Sequence, residues 1–287
     1  MKIKHVIILC IALFLVSGCF KKDSLENATI YTTNYPIEYI TQRLYGDNGT
    51  IISIYPNDVD IKSYTLTDKQ LTDYSKGRIF IYNGLSNEKN YALSMLNKNK
   101  SLLIIDAAMS MEYINGEEEI WLDPSHFLMM ARNVKEGFKE YITNVYLERE
   151  IEDNYNKLKI DISEIDAELK LIVSNAIDKN IVVADDILLY LTKYGLNVLS
   201  LEENENLTAK KINDIEKLMI NKKIKYIFVK DNNELNETAK RLVNKYKVTP
   251  ISLKTASNLS EDERIDKVDF IKIMYDNIEA LKKELYQ

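Results

Sequence analysis

The longest regular pattern of hydrophobic positions lies near the middle of the chain, between Glu150 and Ala176. Neither Pro nor Gly interrupts this segment, and at about 1.5 Å per residue a helix there would extend roughly 40 Å. Apolar side chains recur at steps of four and three, which places one apolar stripe on one face of a helix. The stripe comprises Ile151, Tyr155, Leu158, Ile162, Ile165, Leu169 and Ile172. The pattern predicts a long helix that is a coiled-coil arm, a rigid connector between two lobes, or an amphipathic helix on one core.

Short β-branched runs alternate with segments of helical periodicity on both sides of this helix, an order typical of parallel sheets. The strands are predicted at 28–33, 50–56, 78–83 and 102–106, and again at 180–185, 197–201, 225–231 and 249–253. Helices are predicted at 37–45, 67–75, 87–96, 188–194, 208–221, 235–246 and 267–285. We therefore predict an α/β fold: two four-stranded parallel-sheet lobes joined by one long rigid helix, with a ligand cleft between the lobes.

The N-terminus has the pattern of a secretory signal. Lys2 and Lys4 form a basic region, and an apolar core runs from Val6 to Val16. The sequence Val-Ser-Gly-Cys that ends at Cys19 resembles the lipobox of bacterial lipoproteins. This resemblance implies cleavage before Cys19 and a lipid such as palmitate on Cys19, which holds the protein at a membrane without spanning it. The alternative is an ordinary signal peptide with a chance cysteine.

These features divide the chain into five expected parts. They are a lipoprotein signal peptide at 1–18, a lipidated tether at 19–27, an N-terminal lobe at 28–148, a linking helix at 149–176 and a C-terminal lobe at 177–287. The composition is globular, with 46% apolar and 29% charged residues and a net charge of −6. No basic patch with interleaved aromatic residues is present, so nucleic acid is not an expected partner.

Cysteine and histidine are scarce. Cys10 lies in the signal and Cys19 at its cleavage point, so the mature body is expected to have neither a disulfide framework nor a thiolate site. Once His5 leaves with the signal, His126 is the one remaining histidine. The chain has no G-x-S-x-G sequence, no phosphate-binding Gly-rich loop and no His-based catalytic set, so we predict that it is not an enzyme.

Several sequence segments are informative because of the order in which they follow one another along the chain. They are TTNYPIEYITQRLYGD from Thr32, NDVDIKSYTLT from Asn57, KGRIFIYNGLSNE from Lys76 and IWLDPSHF from Ile120. Together with the C-terminal half, they resemble the zinc- and manganese-binding lipoproteins of bacterial ABC importers, over residues 28 to 285. The resemblance implies two α/β lobes on a stiff connecting helix, small opening of the cleft, and an extracytoplasmic monomer that partners an ABC permease.

In that family four side chains, mostly His with Glu or Asp, hold one divalent metal ion between the lobes. The equivalent positions here carry Lys62, Glu119, Ala184 with Asp185 beside it, and Lys254. Two of the four are lysines, which have no free lone pair at neutral pH, whereas zinc requires imidazole, thiolate or carboxylate ligands. The resemblance therefore implies a degenerate metal site. We expect no bound cofactor, and zinc or manganese only by family resemblance.

The same residues suggest a substitution of charge. Lys62 and Lys254 could supply the positive charge that the metal supplied, with Glu119 and either Asp185 or Asp186 as partners. The alternative is that these side chains line a solvated cleft without contacting one another. Further polar candidates follow predicted strands and suit a polar organic ligand: Asn34, Tyr35, Asn83, Lys230 and Asp231.

His126 stands near Glu119 but lies in a helix start, with Asp123 as the cap and Pro124 in the first turn. We therefore expect a structural or exposed histidine rather than a metal ligand. Two functions stay open. One is a lipid-anchored solute-binding protein of an ABC importer with a degenerate metal site. The other is a metal-independent binding or interaction lipoprotein on the same scaffold, such as an adhesin, a regulator or a binder of organic ligands.

Overall fold

Two four-stranded parallel sheets, one on each side of a long helix, form the framework of the chain. The computed structural model describes residues 25–112, 119–231 and 234–287. The sheet orders are β2-β1-β3-β4 and β6-β5-β7-β8, and every pairing is parallel. The strands are β1 Ala28–Thr32, β2 Gly49–Ser53, β3 Ile79–Tyr82, β4 Leu103–Asp106, β5 Asn180–Val183, β6 Asn197–Ser200, β7 Tyr226–Lys230 and β8 Thr249–Leu253. The predicted α/β fold of two sheets is confirmed.

Helices connect and cover these strands. They are α1 Tyr35–Tyr45, α2 Asp68–Tyr74, α3 Glu88–Lys98, α4 Pro124–Lys139, α5 Val145–Ser174, α6 Ala209–Ile220, α7 Glu237–Tyr246, α8 Glu261–Ile265 and α9 Phe270–Leu285. Short 3₁₀ turns lie at Gly46–Asn48, Ile120–Leu122 and Leu189–Tyr194. We call the first sheet with its helices the N-terminal lobe, and the second sheet with its helices the C-terminal lobe. None of the helices in the described ranges has the length and apolar character needed to cross a bilayer.

The long helix α5 begins earlier than its hydrophobic pattern predicted. Its cap is Asn144, whose Oδ1 accepts hydrogen bonds from the backbone N–H groups of Tyr146 at 2.9 Å and Leu147 at 3.4 Å. Leu147 is buried and lies four residues before Ile151, so the apolar stripe continues into this first turn. The pattern beyond Glu150 did not reveal the start because Val145 and Tyr146, which open the helix, are solvent-exposed.

The α5 stripe belongs to one core that continues into both lobes. The same buried cluster contains Ile30 of β1 and Ile181 of β5, together with all of the predicted stripe residues except Tyr155, which packs partly buried at its edge. The helix packs on α1 and α4 of the N-terminal lobe and on α9 of the C-terminal lobe. Of the three interpretations of the hydrophobic pattern, the structure agrees with a rigid connector between two lobes.

The lobes also contact each other directly, away from α5. Phe127 of α4 stacks on Phe270 of α9 with ring centroids 4.4 Å apart. The guanidinium of Arg264 donates two hydrogen bonds, of 2.8 and 2.9 Å, to the carboxylate of Glu38 in α1. Trp121 Nε1 donates to the backbone carbonyl of Thr255 over 2.7 Å. These contacts bring the lobes together around the cleft.

Two local predictions need correction, and one lies outside the described residues. The segment 188–194 is a 3₁₀ turn rather than an α-helix, and it ends at Gly195, whose φ of +97° suits glycine. The C-terminal helix begins at Phe270, and the separate short helix α8 precedes it. Ser260 and Glu263 form a capping box that starts α8, a pattern that the sequence contained and our prediction missed. The signal peptide and the lipidated Cys19 fall before Leu25, outside the described residues.

Candidate functional site

The cleft between the lobes lies where strands of both sheets end. Lys230 is the last residue of β7 and pairs in register with Leu253 of β8, so Lys254 follows immediately beside it. Asn83 follows β3 in the other lobe. Two cavities of about 440 and 580 Å³ occupy this region. Their walls share Lys62, Glu119 and Ser257, so these three residues lie at the centre of the cleft.

Glu119 is held by lysines on both sides. The Nζ atom of Lys62 lies 3.1 Å from its Oε1, and the Nζ atom of Lys230 lies 2.8 Å from its Oε2. We call these three residues the cleft bridge. The Glu119 side chain is 5% exposed and that of Lys230 is 14% exposed, whereas that of Lys62 is 50% exposed. Because solvent screens Lys62 more, Lys230 contributes the stronger part of the bridge.

The bridge keeps Glu119 ionised. Burial of the carboxyl group acts to raise its pKa, but the ammonium groups of Lys230 and Lys62 outweigh burial, so the pKa of Glu119 lies below its ordinary value. The backbone positions the carboxylate because Glu119 directly precedes the 3₁₀ turn Ile120–Leu122, whose three side chains are buried. The Trp121 indole in that turn is tied to the opposite lobe through Thr255.

Asp185 and Asp186, the suggested partners of Lys254, form hydrogen bonds with other groups. Asp185 is buried and accepts hydrogen bonds from the backbone N–H of Ile187 at 3.0 Å and of Lys230 at 3.2 Å. Burial raises the pKa of Asp185, although these hydrogen bonds and the nearby Lys230 charge oppose that effect. Asp186 accepts a 3.4 Å hydrogen bond from Asn204. Asp185 therefore supports the backbone of the residue that completes the cleft bridge.

Lys254 does not form the suggested ion pair with Asp185 or Asp186. The Nζ atom of Lys254 forms a close ion pair with Glu263. Glu263 is available because its helix α8, absent from the predicted elements, places it beside the end of β8. Ala184, the remaining family-equivalent position, is buried and offers no side-chain ligand. The suggested pairing of Lys62 with Glu119 is present.

Lys230 is the site residue that sequence reasoning left without a role. It appeared only among the polar residues after strands, with Asp231. Lys230 ends a strand beside β8, and that neighbour carries the family-equivalent Lys254 at its own carboxyl end. This strand-end position was the available signal, but the pairing with Glu119 joins residues 111 positions apart and depends on how the lobes meet.

His126 lies in the first turn of α4, as the Asp-Pro start predicted. Asp123 caps this helix by accepting a 2.8 Å hydrogen bond from the backbone N–H of Ser125. The Nδ1 atom of His126 lies 3.7 Å from Asp123 Oδ2 and has no hydrogen-bond partner. The other oxygen of Asp123 is paired with Lys193 of the C-terminal lobe. His126 is thus a half-buried structural residue next to a second ion pair between the lobes.

Within residues 25–112, 119–231 and 234–287, no group of three or more His, Cys, Asp or Glu side chains is arranged to hold a metal ion. At the centre of the cleft in that part of the chain, the buried carboxylate of Glu119 is combined with lysines, which donate hydrogen bonds but do not ligate metals at neutral pH. Its arrangement suits charge neutralisation between the lobes.

The sequence from residue 30 to residue 284 matches the family described as zinc-uptake complex component A, periplasmic. The chain belongs to this family. The family is one of periplasmic solute-binding components of metal importers and not of enzymes, which agrees with the prediction that the chain is not an enzyme. A comparison with curated proteins finds no match.

Solved structures of low sequence identity share the fold. The metal-dependent lipoprotein YcdH of Bacillus subtilis superposes with a TM-score of 0.74 at 18% identity, covering 91% of this chain and 100% of that chain. The Zn(II)-bound ZnuA-like domain of Streptococcus pneumoniae AdcA gives a TM-score of 0.73 at 19% identity, with the same coverage of 91% and 100%. The laminin-binding protein Lbp of Streptococcus pyogenes gives 0.72 at 16% identity, covering 91% and 99%.

Proposed function

We propose that the chain is a lipid-anchored, extracytoplasmic solute-binding protein of an ABC importer, with the cleft bridge in place of the metal ion of its zinc-uptake family. Family membership supports the importer role and a permease as the membrane partner. The division into signal, tether, two lobes and linking helix, with a monomer as the working unit, is part of the same proposal.

One observation carries the proposal: both oxygens of Glu119 are paired with lysine ammonium groups that come from opposite lobes. A metal ion at this carboxylate would have to displace them. A divalent cation about 4 Å from one ammonium is repelled by roughly 8 kcal/mol at an effective dielectric constant near 20. Each oxygen of the carboxylate already has an ammonium partner, so the positive charge that a metal would supply is already present.

The other family-equivalent positions support the same conclusion. Ala184 has no ligating atom, and Lys254 is occupied by Glu263. Asp185 accepts two backbone hydrogen bonds, and its pKa is raised by burial, so its carboxylate is committed to the protein. Neither zinc nor manganese finds a set of three free ligands among these residues.

Metal titration tests the proposal. The soluble body, residues 20 to 287, is stripped with chelator and titrated with Zn²⁺ and then Mn²⁺ by calorimetry, with its melting temperature followed in parallel. We expect no saturable one-to-one binding and no rise in melting temperature, since only a ligand that binds the folded state raises it. Tight one-to-one binding of either ion would overturn the degenerate site.

Lipid anchoring rests on the lipobox-like sequence at Cys19 and needs a separate test. Cells that express the full chain are labelled with radioactive palmitate and fractionated. We expect label on the wild-type protein in the membrane fraction, and we expect Cys19→Ala to lose both the label and the membrane association. A labelled Cys19→Ala variant would contradict attachment at this cysteine.

A further inference from the structure

The 440 Å³ cavity lies on the N-terminal-lobe side of the cleft bridge and has a largely aromatic part in its wall. Aromatic rings line it, from Tyr55, Tyr64, Tyr91 and Trp121. Tyr55 and Tyr64 meet edge to face with centroids 6.0 Å apart. The volume falls in the range of sites for small molecules, and aromatic faces favour organic groups over a bare metal ion.

Glu88, in the first turn of α3, also lines this cavity. It is 5% exposed, and its Oε2 accepts a 3.0 Å hydrogen bond from the backbone N–H of Asn83. Its Oε1 accepts a 3.4 Å hydrogen bond from the Tyr55 hydroxyl. In the described part of the chain, no lysine, arginine or histidine forms an ion pair with Glu88. A buried carboxylate of this kind is stabilised when a cation comes to it.

The electrostatics of the neighbouring groups point the same way. Burial raises the pKa of Glu88 to about 7, so the carboxyl group lacks a charge partner of its own. The other acid in the wall, Glu119, is neutralised by the cleft bridge, and Lys62 is engaged there. The pKa of Tyr55 is raised by burial and by the Glu88 charge, so its hydroxyl stays neutral and is a poor ligand for a metal ion.

We propose that this cavity binds a small organic molecule that carries an ammonium group, with the Glu88 carboxylate as its counter-charge and tyrosine rings around it. The assignment rests on the proposed solute-binding role of the cleft and names the class of solute. The ammonium group donates to the Glu88 oxygens, and aromatic faces attract a cation within about 6 Å of a ring centroid. A metal ion is disfavoured because the cavity offers it a single unpaired carboxylate.

Calorimetry on the full-length chain in nonionic detergent tests this assignment. The probes are putrescine, a primary amine, and choline, a quaternary ammonium, with glucose as a neutral polyol and glutarate as an anion without an ammonium group. We expect one-to-one binding of at least one of the two amines and none of glucose or glutarate. Binding of neither amine at millimolar concentration overturns the proposal, and so does binding of glucose or glutarate in their place.

Variants locate the site. Glu88→Gln keeps the shape and an acceptor for the Asn83 N–H but removes the charge, so the affinity for the bound amine is expected to fall about tenfold or more. Tyr64→Ala, at the more open part of the wall, is expected to weaken it several-fold without altering Glu88. Glu148→Gln makes the same charge change on an exposed residue of α5 and is expected to leave the affinity unchanged. Equal affinity in Glu88→Gln and Glu148→Gln overturns the role of Glu88.

A zinc titration of the same preparation separates this inference from the proposed function. If neither amine nor zinc binds, the ligand class is wrong while the degenerate metal site stands. If zinc binds tightly, the degenerate metal site is wrong whatever the amines do. Melting curves of each variant show that a lost affinity is not a lost fold.

Discussion

The Nζ atom of Lys230, at the end of β7, lies 2.8 Å from Oε2 of Glu119, which comes from the opposite lobe. Both side chains are shielded from solvent, so neither ion can be removed without leaving the other buried and poorly compensated. Lys62 reaches the same carboxylate from a solvated position and can replace only part of that charge.

Replacement of Lys230 tests this pairing. Lys230→Met removes the buried ammonium and retains the apolar stem, so we expect a loss of about 3 kcal/mol in the free energy of unfolding. Lys217→Met, which removes an exposed lysine from a surface pair, is the matched control and should cost less than about 1 kcal/mol. Urea unfolding of both variants gives the comparison. Equal stability of the two variants would show that the buried pair is not stabilising.

Glu88 gives the stability a defined pH dependence. Its pKa in the folded protein is about 7, above its ordinary value of 4.5, so the folded state binds more protons than the unfolded state between these values. Stability therefore falls as pH rises through this window and is constant above it. We expect Glu88 to lower the free energy of unfolding by about 2 kcal/mol between roughly pH 5.5 and pH 8.

Glu88→Gln is the reference for that measurement, because every other titrating group is common to both proteins. Glu284, whose pKa is raised to about 6 by burial, acts in the same direction and cancels in the difference. Urea unfolding at the two pH values should show the variant gaining on the wild type as the pH rises. A constant difference between them would mean that Glu88 titrates near its ordinary pKa.

A metal site should be recoverable if the lysines are what excludes the ion. Lys62→His, Lys230→Met and Lys254→Asp, made together, free the Glu119 carboxylate and add an imidazole and a carboxylate at family-equivalent positions. We expect zinc affinity at least tenfold higher than in the control variant with Lys62→Ala, Lys230→Met and Lys254→Ala. Zinc calorimetry at neutral pH compares the two. Equal affinity would show that the residues at these positions do not converge on one point.

The start of α5 can be checked through its cap. Asn144→Ala removes the acceptor for the N–H groups of Tyr146 and Leu147, at an expected cost of about 1 kcal/mol. Asn144 Nδ2 also donates a 2.9 Å hydrogen bond to Glu26, and both Asn144→Ala and Asn144→Ser lose it. Asn144→Ser keeps a capping oxygen, so its stability should remain close to that of the wild type. Thermal unfolding of the two variants distinguishes them. A serine variant as unstable as the alanine variant would assign the loss to the Glu26 contact.

The sequence was sufficient where local periodicity decides the structure. The β-branched runs predicted strands such as β3, the step of four and three predicted α5, and the Asp-Pro pair predicted the start of α4. It was insufficient where a side chain chooses between partners far apart in the chain. Lys254 had several acids within reach of the cleft, and the choice of Glu263 depends on a short helix whose capping box was overlooked. Lys230 finds Glu119 only because the lobes close on each other.

The cleft bridge also has a consequence for signalling. In a binding protein whose lobes are held by a captured ion, the arrangement of the lobes reports whether the ion is there, and a membrane partner can respond to that difference. Here the link between the lobes is made by side chains that never leave the protein. With the metal site degenerate as we propose, we expect the face that this chain presents to a partner to be the same in zinc-poor and zinc-rich surroundings, and its shape to carry no information about metal supply.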